Sequence, residues 1–412
     1  MERVILHSDI NNCFASIEAA LDPSLKGKAV AVCGSQEDRH GIVLAKSEQA
    51  KKYGVYTGQT AYQAKQICPE LIVVKPHLEQ YLKFSKLAQE LYSDYTDQVE
   101  PFGLDECWLD VTASRRLFGS GEDIAMAIKE RMKKELGVTV SVGVSFNKVF
   151  AKLGSDMKKP DAITVIKRED FKKKIWHLPT RELLGVGSRT EAALKRRGIF
   201  TIGDIARVGA EQMQTYLGKN GVKLWIAASG LDSSRVLRIG ESPTVRSVSS
   251  GITTVSDMQN TAEALAVFIN LCEDVSRSLR RAELCARSVQ IALRSNDLNW
   301  RQLQMPTEFP VQSVNGIYKY VVKLMENYDW ALPLRSVSVR ACDVCFRDAA
   351  VQQDMLGSLE GHEKRERADE AAYLINERFG RGTVMLADML FKNKMPQGDR
   401  INCLPGAHSQ SR

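Results

Sequence analysis

The stretch "RVILHSDINNCFASIEAAL", residues 3–21, joins two hydrophobic patterns at one polar turn. Its first part is apolar and β-branched, without a turn residue, which is typical of a buried strand. In its second part Phe14, Ile17 and Leu21 recur at helical spacing. A carboxylate, Asp9, stands where the two patterns meet. It either caps the helix N-terminus or binds a metal ion from a rigid strand.

The same alternation of strand-like runs and amphipathic helices continues to about residue 165, which predicts an α/β or α+β domain. Residues 167–232 show no convincing strand pattern and predict a small helical domain. Residues 230–247 are polar, contain Gly and Pro, and read as a linker. The β-α-β-β-α-β order that follows predicts a ferredoxin-like module. The 412 residues are enough for two to four domains.

The composition, 44% hydrophobic and 26% charged, is that of a soluble globular protein. No apolar run approaches the roughly 20 residues that span a bilayer, and the polar N-terminus does not resemble a signal peptide. The 9 cysteines are scattered, which disfavours a disulfide framework. We therefore expect a reduced, cytoplasmic protein, a monomer without a membrane partner.

The positive charge is concentrated in one segment. The whole chain has a formal charge of +7, whereas residues 167–240 alone contain 15 Lys or Arg and 7 Asp or Glu. A concentrated basic region is typical of a nucleic-acid contact, although a solvated helix face has the same composition.

A second acidic motif, "VEPFGLDECWLDVT" at residues 99–112, places Asp105 and Glu106 directly before an alternating strand pattern. Neighbouring residues of a flat strand point to opposite faces, but at an irregular strand start their carboxylates can converge. An acidic surface hairpin is the alternative. Three carboxylates in one sheet, with Asp9, repel one another unless cations lie between them. Mg²⁺ is the natural cation, and a pair of ions about 3.5–4 Å apart is the usual arrangement for nucleotidyl transfer.

The turn after Asp9 suits a triphosphate. The backbone amides of Asn12, Cys13 and Phe14 lie at a helix N-terminus, where free N–H groups and the helix dipole favour phosphate. Lysines of two predicted helical segments are further candidates, although most helical lysines are solvated: Lys46, Lys51, Lys52, Lys148, Lys152, Lys158 and Lys159.

In the basic segment, "LLGVGSRTEAALKRRGIFTIGDI" at residues 183–205 has the pattern of a helix-hairpin-helix turn. Gly185 and Gly187 let backbone amides approach a DNA phosphate closely. The charge there comes from Arg189, Lys195, Arg196 and Arg197. An ordinary helical hairpin is the alternative.

Four motifs, in this order, make the chain resemble a Y-family translesion DNA polymerase over residues 4–380. They are "HSDINNCFASIE", "GLDECWLDVT", "SVGVSFNKVFAKLGSDMKKP" and "LLGVGSRTEAALKRRGI". The resemblance implies an α+β multidomain, right-hand polymerase with a ferredoxin-like palm, small fingers, a helical helix-hairpin-helix thumb and an α/β little finger. The implied ranges are palm 1–10 and 77–166, fingers 11–76, thumb 167–232, linker 233–244 and little finger 245–385. The composition of residues 386–412 predicts a disordered tail.

The resemblance also implies residue roles. Asp9, Asp105, Glu106 and the Ile10 carbonyl would bind two Mg²⁺ ions, Phe14 would be the steric gate that excludes ribonucleotides, and Lys159 would contact the triphosphate. One helix departs from the family: Glu48 and Lys51 stand where relatives have Tyr and Arg. Since Lys cannot reproduce a bidentate Arg contact, we expect Lys51 to bind the nucleotide more weakly.

Two further contacts are predicted. Arg246 and Ser249, at the start of the little finger, are expected to contact DNA. The peptide "VQQDMLG", residues 351–357, resembles the motif by which replication factors bind the sliding clamp, with Gln352, Met355 and Leu356 as anchors.

The predicted function is template-directed DNA synthesis from dNTPs on primer-template DNA, with low-fidelity lesion bypass in DNA repair. A catalytically weak DNA- and clamp-binding scaffold is the alternative from another class. A nucleotide cyclase on a similar palm is a third, which the DNA-gripping architecture disfavours.

Overall fold

The structure is a computed structural model, and it describes residues 2–34, 41–241, 244–326, 328–348, 358–380 and 382–387. The chain divides into two compact units, one containing residues 42–241 with the N-terminal residues, and the other containing the described residues from 244 onward. Strands in the described ranges are β1 (Ile5–Ile10), β2 (Val30–Cys33), β3 (Val43–Lys46), β4 (Ile72–Val74), β5 (Val99–Phe102), β6 (Glu106–Asp110), β7 (Val140–Ser145), β8 (Ile163–Ile166), β9 (Ser247–Met258), β10 (Leu284–Ser295), β11 (Trp300–Val311) and β12 (Leu334–Phe346).

The helices of the same ranges are interspersed with these strands, and five of them follow one another in residues 171–228, where the sequence predicts a helical domain. They are α1 (Cys13–Leu21), α2 (Glu48–Lys52), α3 (Ala61–Ile67), α4 (Leu78–Ser93), α5 (Arg115–Phe118), α6 (Gly121–Arg131), α7 (Lys148–Met157), α8 (Phe171–Ile175), α9 (Ser188–Lys195), α10 (Ile202–Val208), α11 (Ala210–Leu217), α12 (Lys219–Ala228), α13 (Thr261–Arg281), α14 (Val314–Glu326) and α15 (Ser358–Phe379). A π-helical segment, Met132–Leu136, continues α6.

The first unit is built on a five-stranded sheet in the order β5-β6-β1-β7-β8. Strand β1 lies at its centre, paired antiparallel to β6 and β7. All of its residues are buried, because the sheet's core is formed on both of its faces. The edge strand β5 contains Pro101, which an edge position tolerates.

Helix α1 packs on this sheet through Ile17, which is fully buried. Phe14, Ile17 and Leu21 recur at helical spacing, but Leu21 is 47% exposed, so the helical spacing alone does not make this stripe a core face. The helix-cap interpretation of Asp9 is wrong. Asp9 lies within β1, and the residue at the N-cap of α1 is Asn12 in the left-handed conformation.

A separate three-stranded sheet, β3-β2-β4, follows α1 in the chain. It corrects one expectation: the pattern of residues 44–55 predicts helix, whereas Lys46 ends strand β3 and only Glu48–Lys52 is helix. Ala, Lys, Glu and Gln favour helix locally, but pairing of Ala31 with Lys46 overrides that preference here.

Residues 171–228 form the helices α8 to α12 around a small core that includes Leu194, Ile205 and Met213. Residues 231–238, within the predicted linker, have no regular secondary structure but pack on the five-stranded sheet. Val236 is 1% exposed and lies in an apolar cluster with Ile5, Trp108 and Ala151.

The second unit has a four-stranded sheet in the order β11-β10-β12-β9. The elements β9, α13, β10, β11, α14 and β12 follow one another as the predicted β-α-β-β-α-β order requires. Helices α13 and α14 share its apolar core, which includes Phe268, Leu271 and Ile317. Among the described residues no helix has the length and apolar character needed to cross a membrane.

Candidate active site

Two acidic side chains meet across the central strands of the five-stranded sheet. Asp9 of β1 is paired directly with Glu106 of β6, and Asp9 is 3% exposed. Each of these two strands is hydrogen-bonded to a neighbouring strand on both sides, so the backbone that carries each carboxylate is fixed in place. The structure thus brings together two of the three predicted metal ligands.

Asp105 belongs to the three-residue loop that joins β5 to β6. Its carbonyl oxygen accepts a hydrogen bond of 2.9 Å from the Ile10 N–H, which ties the loop to the end of β1. The loop turns at Gly103, whose φ of +84° favours glycine. Asp105 therefore lies beside the pair formed by Asp9 and Glu106.

Two lysines pair with the carboxylates. Lys152 Nζ lies 3.0 Å from Glu106 Oε1 and 3.3 Å from Asp9 Oδ2, and Lys159 Nζ lies 2.6 Å from Asp9 Oδ2. Asp156 pairs with both ammonium groups, at 3.1 and 2.8 Å. Lys159, predicted to contact a triphosphate, thus lies at the acidic cluster.

Helix α7 carries Lys152 and lies unusually close to the sheet. A Cβ added at Gly143 of β7 would come 1.9 Å from the Ala151 carbonyl oxygen, so only glycine permits this approach. The close packing is what brings the lysine to the carboxylates of the neighbouring strands.

The ionisation of the cluster reflects burial and mutual repulsion. Burial, reinforced by Asp9 and Glu106, raises the pKa of Asp105 to about 6. Burial also raises the pKa of Asp9, against the opposing effect of Lys159. For Glu106 burial acts in the same direction, but His7 and Lys152 outweigh it and lower the pKa. The carboxylates of the site therefore outnumber its lysine ammonium groups.

Sequence reasoning missed His7. Its Nδ1 lies 2.9 Å from Ser155 Oγ, and its Nε2 lies 3.3 Å from Glu106 Oε2. Ligand atoms of His7, Asp9 and Glu106 all lie within 4.8 Å of one another, a group to which Asp105 does not belong. The signal available in the sequence was the spacing: residues 7 and 9 share one face of a strand.

The cluster fits a divalent cation. Glu106 Oε2 and His7 Nε2 are buried and face each other at 3.3 Å without good hydrogen-bond geometry, and within the described ranges neither atom has another hydrogen-bond partner. Buried carboxylate oxygens without donors are suited to a hard cation. Asp9 and Glu106 are the residues placed to hold it, with Asp105 beside them.

The start of α1 has the free amides that its sequence predicts. No side chain caps this helix, and Asn12 instead donates a hydrogen bond of 2.9 Å to Glu48 Oε1. Lys51 lies 3.8 Å from the same carboxylate. Glu48 is thus paired with Lys51 and Asn12. Cys13 is buried, and burial raises the pKa of its thiol.

Phe14 is half-buried and stacks on Tyr81 of α4, with ring centroids 4.2 Å apart and ring planes 10° apart. It therefore keeps part of its ring accessible beside the turn that begins α1, unlike the fully buried Ile17.

The candidate DNA-contacting residues lie on exposed surfaces. In the first unit, Gly187 precedes α9, whose N-terminus has no side-chain cap, and Gly185 has φ +93°. Exposed around them are Arg189, Lys195, Arg196 and Arg197. In the second unit, Arg246 and Ser249 are exposed at the start of β9. The proposed clamp anchors Gln352, Met355 and Leu356 lie outside the described residues.

The chain is similar to known proteins over most of its length. The sequence profile of the impB/mucB/samB family matches residues 8–156, and that of the family's C-terminal domain matches residues 245–355. A DNA polymerase IV from Acetivibrio thermocellus is 46% identical over 381 residues, which cover 92% of this chain and 96% of the relative. A DNA polymerase IV from Pelotomaculum thermopropionicum is 38% identical, covering 93% and 94%.

Solved structures share the fold. A chimera of the Y-family DNA polymerases Dbh and Dpo4 superposes with a TM-score of 0.74 at 24% identity, covering 83% of this chain and 99% of the chimera. An insertion ternary complex of Dbh DNA polymerase gives a TM-score of 0.59 at 23% identity, with the same coverage. The predicted α+β multidomain polymerase fold is thereby confirmed. With its relatives, its profile matches and its fold in agreement, the chain belongs to the impB/mucB/samB family of Y-family DNA polymerases.

Proposed function

We propose that this DNA polymerase adds dNTPs to a primer by nucleotidyl transfer at Asp9, Asp105 and Glu106, with two Mg²⁺ ions as cofactors. The observation that carries the proposal is the direct pairing of Asp9 with Glu106 on the two central strands, with Asp105 in the adjoining loop. Primer-template DNA and dNTPs are the partners that this reaction requires.

In this proposal Asp9, Asp105, Glu106 and the Ile10 carbonyl hold the ions. Bound there, Mg²⁺ polarises the transferring phosphoryl group and stabilises the charge that develops on it. The protein's own contribution is positional: the strands fix the carboxylates, and Lys152 and Lys159 limit their repulsion. Preorganised charge of this kind usually contributes more to such catalysis than any other single effect.

The nucleotide's other contacts come from α1 and its surroundings. The uncapped amides of Asn12, Cys13 and Phe14 receive the phosphates, with Lys51 and Lys159 supplying positive charge. Phe14, half-buried beside this turn, excludes the 2′-hydroxyl of a ribonucleotide.

DNA is held by its backbone in this proposal. The turn at Gly185 and Gly187 offers amides to a phosphate, and the side chains around it add charge that does not read sequence. Arg246 and Ser249 contribute a second contact.

Membership of the Y-family makes lesion bypass in DNA repair the cellular role. Clamp binding through Gln352, Met355 and Leu356, a monomeric state and a cytoplasmic location remain predictions.

Primer extension with Mg²⁺ and four dNTPs tests the assignment. Asp105→Ala and Glu106→Ala should each lower the rate of nucleotide addition at least about 100-fold, because each removes a ligand of the reacting centre. Affinity for primer-template DNA, measured by fluorescence anisotropy, should stay within about threefold, since backbone contacts supply it. Glu135→Ala is the matched control, because it removes an exposed acid paired with Arg131 in the same unit.

Near-normal extension by both variants would contradict the metal assignment. A catalytically weak scaffold, the alternative, predicts that neither the variants nor the wild type extends a primer. The relatives named DNA polymerase IV disfavour that alternative.

A further inference from the structure

A buried carboxylate lies behind Phe14. Glu18 is four residues further along α1 and is 4% exposed. Its Oε1 accepts a hydrogen bond of 2.5 Å from the Tyr81 hydroxyl. His77 Nδ1 lies 2.9 Å from Oε1 and 3.1 Å from Oε2 of the same carboxylate. Two groups at the start of α4 therefore converge on one acid of α1.

Tyr81 joins this carboxylate to Phe14. Its hydroxyl is bound by Glu18, and the face of its ring stacks on the Phe14 ring at 4.2 Å. Tyr81 is fully buried, and burial together with the bond to Glu18 raises the pKa of its hydroxyl, which therefore stays a donor at neutral pH. The Tyr81 side chain is thus held by Glu18 at its hydroxyl and contacts Phe14 with the face of its ring.

The arrangement leaves Tyr81 little freedom. A buried carboxylate that loses a hydrogen-bond donor is destabilised, so a rotamer of Tyr81 that left Glu18 with the partly exposed His77 as its partner would be disfavoured. Phe14 and Glu18 are one turn apart on α1, as are His77 and Tyr81 at the start of α4. The two contacts therefore tie the same turns of the two helices together.

We propose that Glu18 is a positioning residue for nucleotide selection: through the Tyr81 hydroxyl it fixes the ring against which Phe14 stacks, and so sets how strictly the site rejects ribonucleotides. The inference rests on the proposed gate role of Phe14. Steric rejection depends steeply on distance, so a small displacement of the ring is enough to admit a 2′-hydroxyl. Glu18 itself need not touch the nucleotide.

The test is single-nucleotide insertion with dNTP and with rNTP. Tyr81→Phe keeps the stacked ring and removes only its hydroxyl. We expect the ratio of kcat/KM for dNTP to that for rNTP to fall about 10-fold, through a lower KM and higher kcat for rNTP. The parameters for dNTP should change by less than about threefold, because the metal ligands are untouched. Glu18→Gln keeps an acceptor oxygen for Tyr81 and should retain most of the discrimination, whereas Glu18→Ala should lose it.

Tyr92→Phe is the matched control. It removes a buried phenol hydroxyl from the same helix, one that bonds Ser8 Oγ at 2.9 Å, and it has no stacking contact with Phe14. A purely structural role for Glu18 predicts lower thermal stability in Tyr81→Phe and Tyr92→Phe alike, with an unchanged discrimination ratio in both. That result would overturn the proposal.

Phe14→Ala, measured alongside, separates the role of Phe14 from that of Glu18. If Phe14→Ala admits rNTP while folded Tyr81→Phe keeps the wild-type ratio, the gate stands and the role of Glu18 is wrong. If Phe14→Ala leaves the ratio unchanged, the gate assignment fails, and the role of Glu18 fails with it. If Glu18→Ala does not fold, Tyr81→Phe decides the question.

Discussion

The Lys159 ammonium lies 2.6 Å from the Asp9 carboxylate, close enough for a charge-assisted hydrogen bond. The sequence resemblance assigns this lysine to the triphosphate instead. The two roles are compatible if the lysine stabilises the acidic cluster in the free protein and turns to the nucleotide when the cluster binds cations. Lys152, bound to Asp9, Glu106 and Asp156, would remain in place.

Lys159→Met separates these two roles. We expect KM for dNTP to rise about 10-fold or more, since a hydrogen bond to a charged group contributes about 1.5–3 kcal/mol. Divalent cations should bind more tightly in the absence of nucleotide, because a competing positive charge beside Asp9 has gone. Insertion kinetics and Mn²⁺ titration followed by EPR measure the two effects. Lys158→Met is the control, an exposed neighbour in sequence. If neither the KM for dNTP nor the affinity for Mn²⁺ changed, Lys159 would have neither of these two roles.

The Asp105 carboxylate should lower the stability of the metal-free protein at neutral pH. Its pKa is about 6 in the folded protein against about 3.9 in an unfolded chain. The folded state therefore holds the proton more tightly, and stability falls as pH rises between these values. Asp105→Asn should raise the free energy of unfolding of the first unit by up to about 2–3 kcal/mol at pH 7.5 in EDTA, at about 1.4 kcal/mol per pKa unit. The gain should shrink as the pH is lowered from 6 to 4.

Urea denaturation at several pH values gives this difference. Asp94→Asn, which removes an exposed acid paired with Arg131, is the control for the loss of one surface carboxylate. A less stable Asp105→Asn protein at pH 7.5 would show that the carboxylate is stabilised in the fold rather than repelled. Activity should be lost in either case, because the cation site needs the charge.

The helical domain's charge should appear in the salt dependence of DNA binding. Replacing Lys195, Arg196 and Arg197 by Ala together should weaken binding and flatten the log–log salt slope by up to about 3, one for each phosphate that is no longer neutralised. Two of the three have intramolecular partners: Lys195 lies 2.7 Å from Glu191, and Arg197 lies over the Tyr216 ring. Single variants therefore show which of them leaves its partner for DNA. An unchanged slope would mean that this charge is merely solvated.

How much of the fold and of the candidate site the sequence predicts depends on whether local pattern or contacts between distant residues determine each feature. Strands β1 and β6 and their carboxylates follow from local pattern, since a buried strand next to a polar turn is visible in the sequence. Strand β3 is not, because its four residues include helix formers and become strand only by pairing with β2. The contact of His7 with Ser155 joins residues 148 positions apart, and no local signal specifies it.

The predicted linker shows the same limit. Its polar composition gives no sign that Val236 is buried, or that the Leu237 N–H donates a hydrogen bond of 2.9 Å to Glu100 Oε2. Glu100 is itself paired with Lys148 at 2.6 Å. The burial and the hydrogen bond both depend on residues far away in the sequence, so only the folded sheet reveals them.

Val236→Ala should therefore destabilise the first unit, although it lies in an irregular segment. Removing about two buried carbon groups costs about 1.5–2.5 kcal/mol, including the cavity that remains. Cleavage by a protease within residues 231–239 should become faster in native conditions, because this segment would detach more often. Ile239→Ala is the matched control, since its side chain is 56% exposed. Equal proteolysis of both variants would show that Val236 contributes little to holding the segment.

Phe14→Ala distinguishes a core residue from a gate. A fully buried Phe would leave a cavity costing about 3–5 kcal/mol and lower every activity together. Phe14 is only half-buried and lies flat on Tyr81, so we expect a smaller loss of about 1–2 kcal/mol. The folded variant should incorporate dNTP at nearly the wild-type rate and rNTP at least about 10-fold faster, because a steric obstacle to the 2′-hydroxyl has gone. Insertion kinetics at a temperature well below the variant's midpoint measure both rates without interference from unfolding.

Ile17→Ala is the matched control for Phe14→Ala. Ile17 is fully buried on the same helix, so its loss should lower stability more and leave discrimination against rNTP unchanged. If instead both variants lose dNTP and rNTP insertion in proportion, Phe14 belongs to the core and the sugar is selected elsewhere.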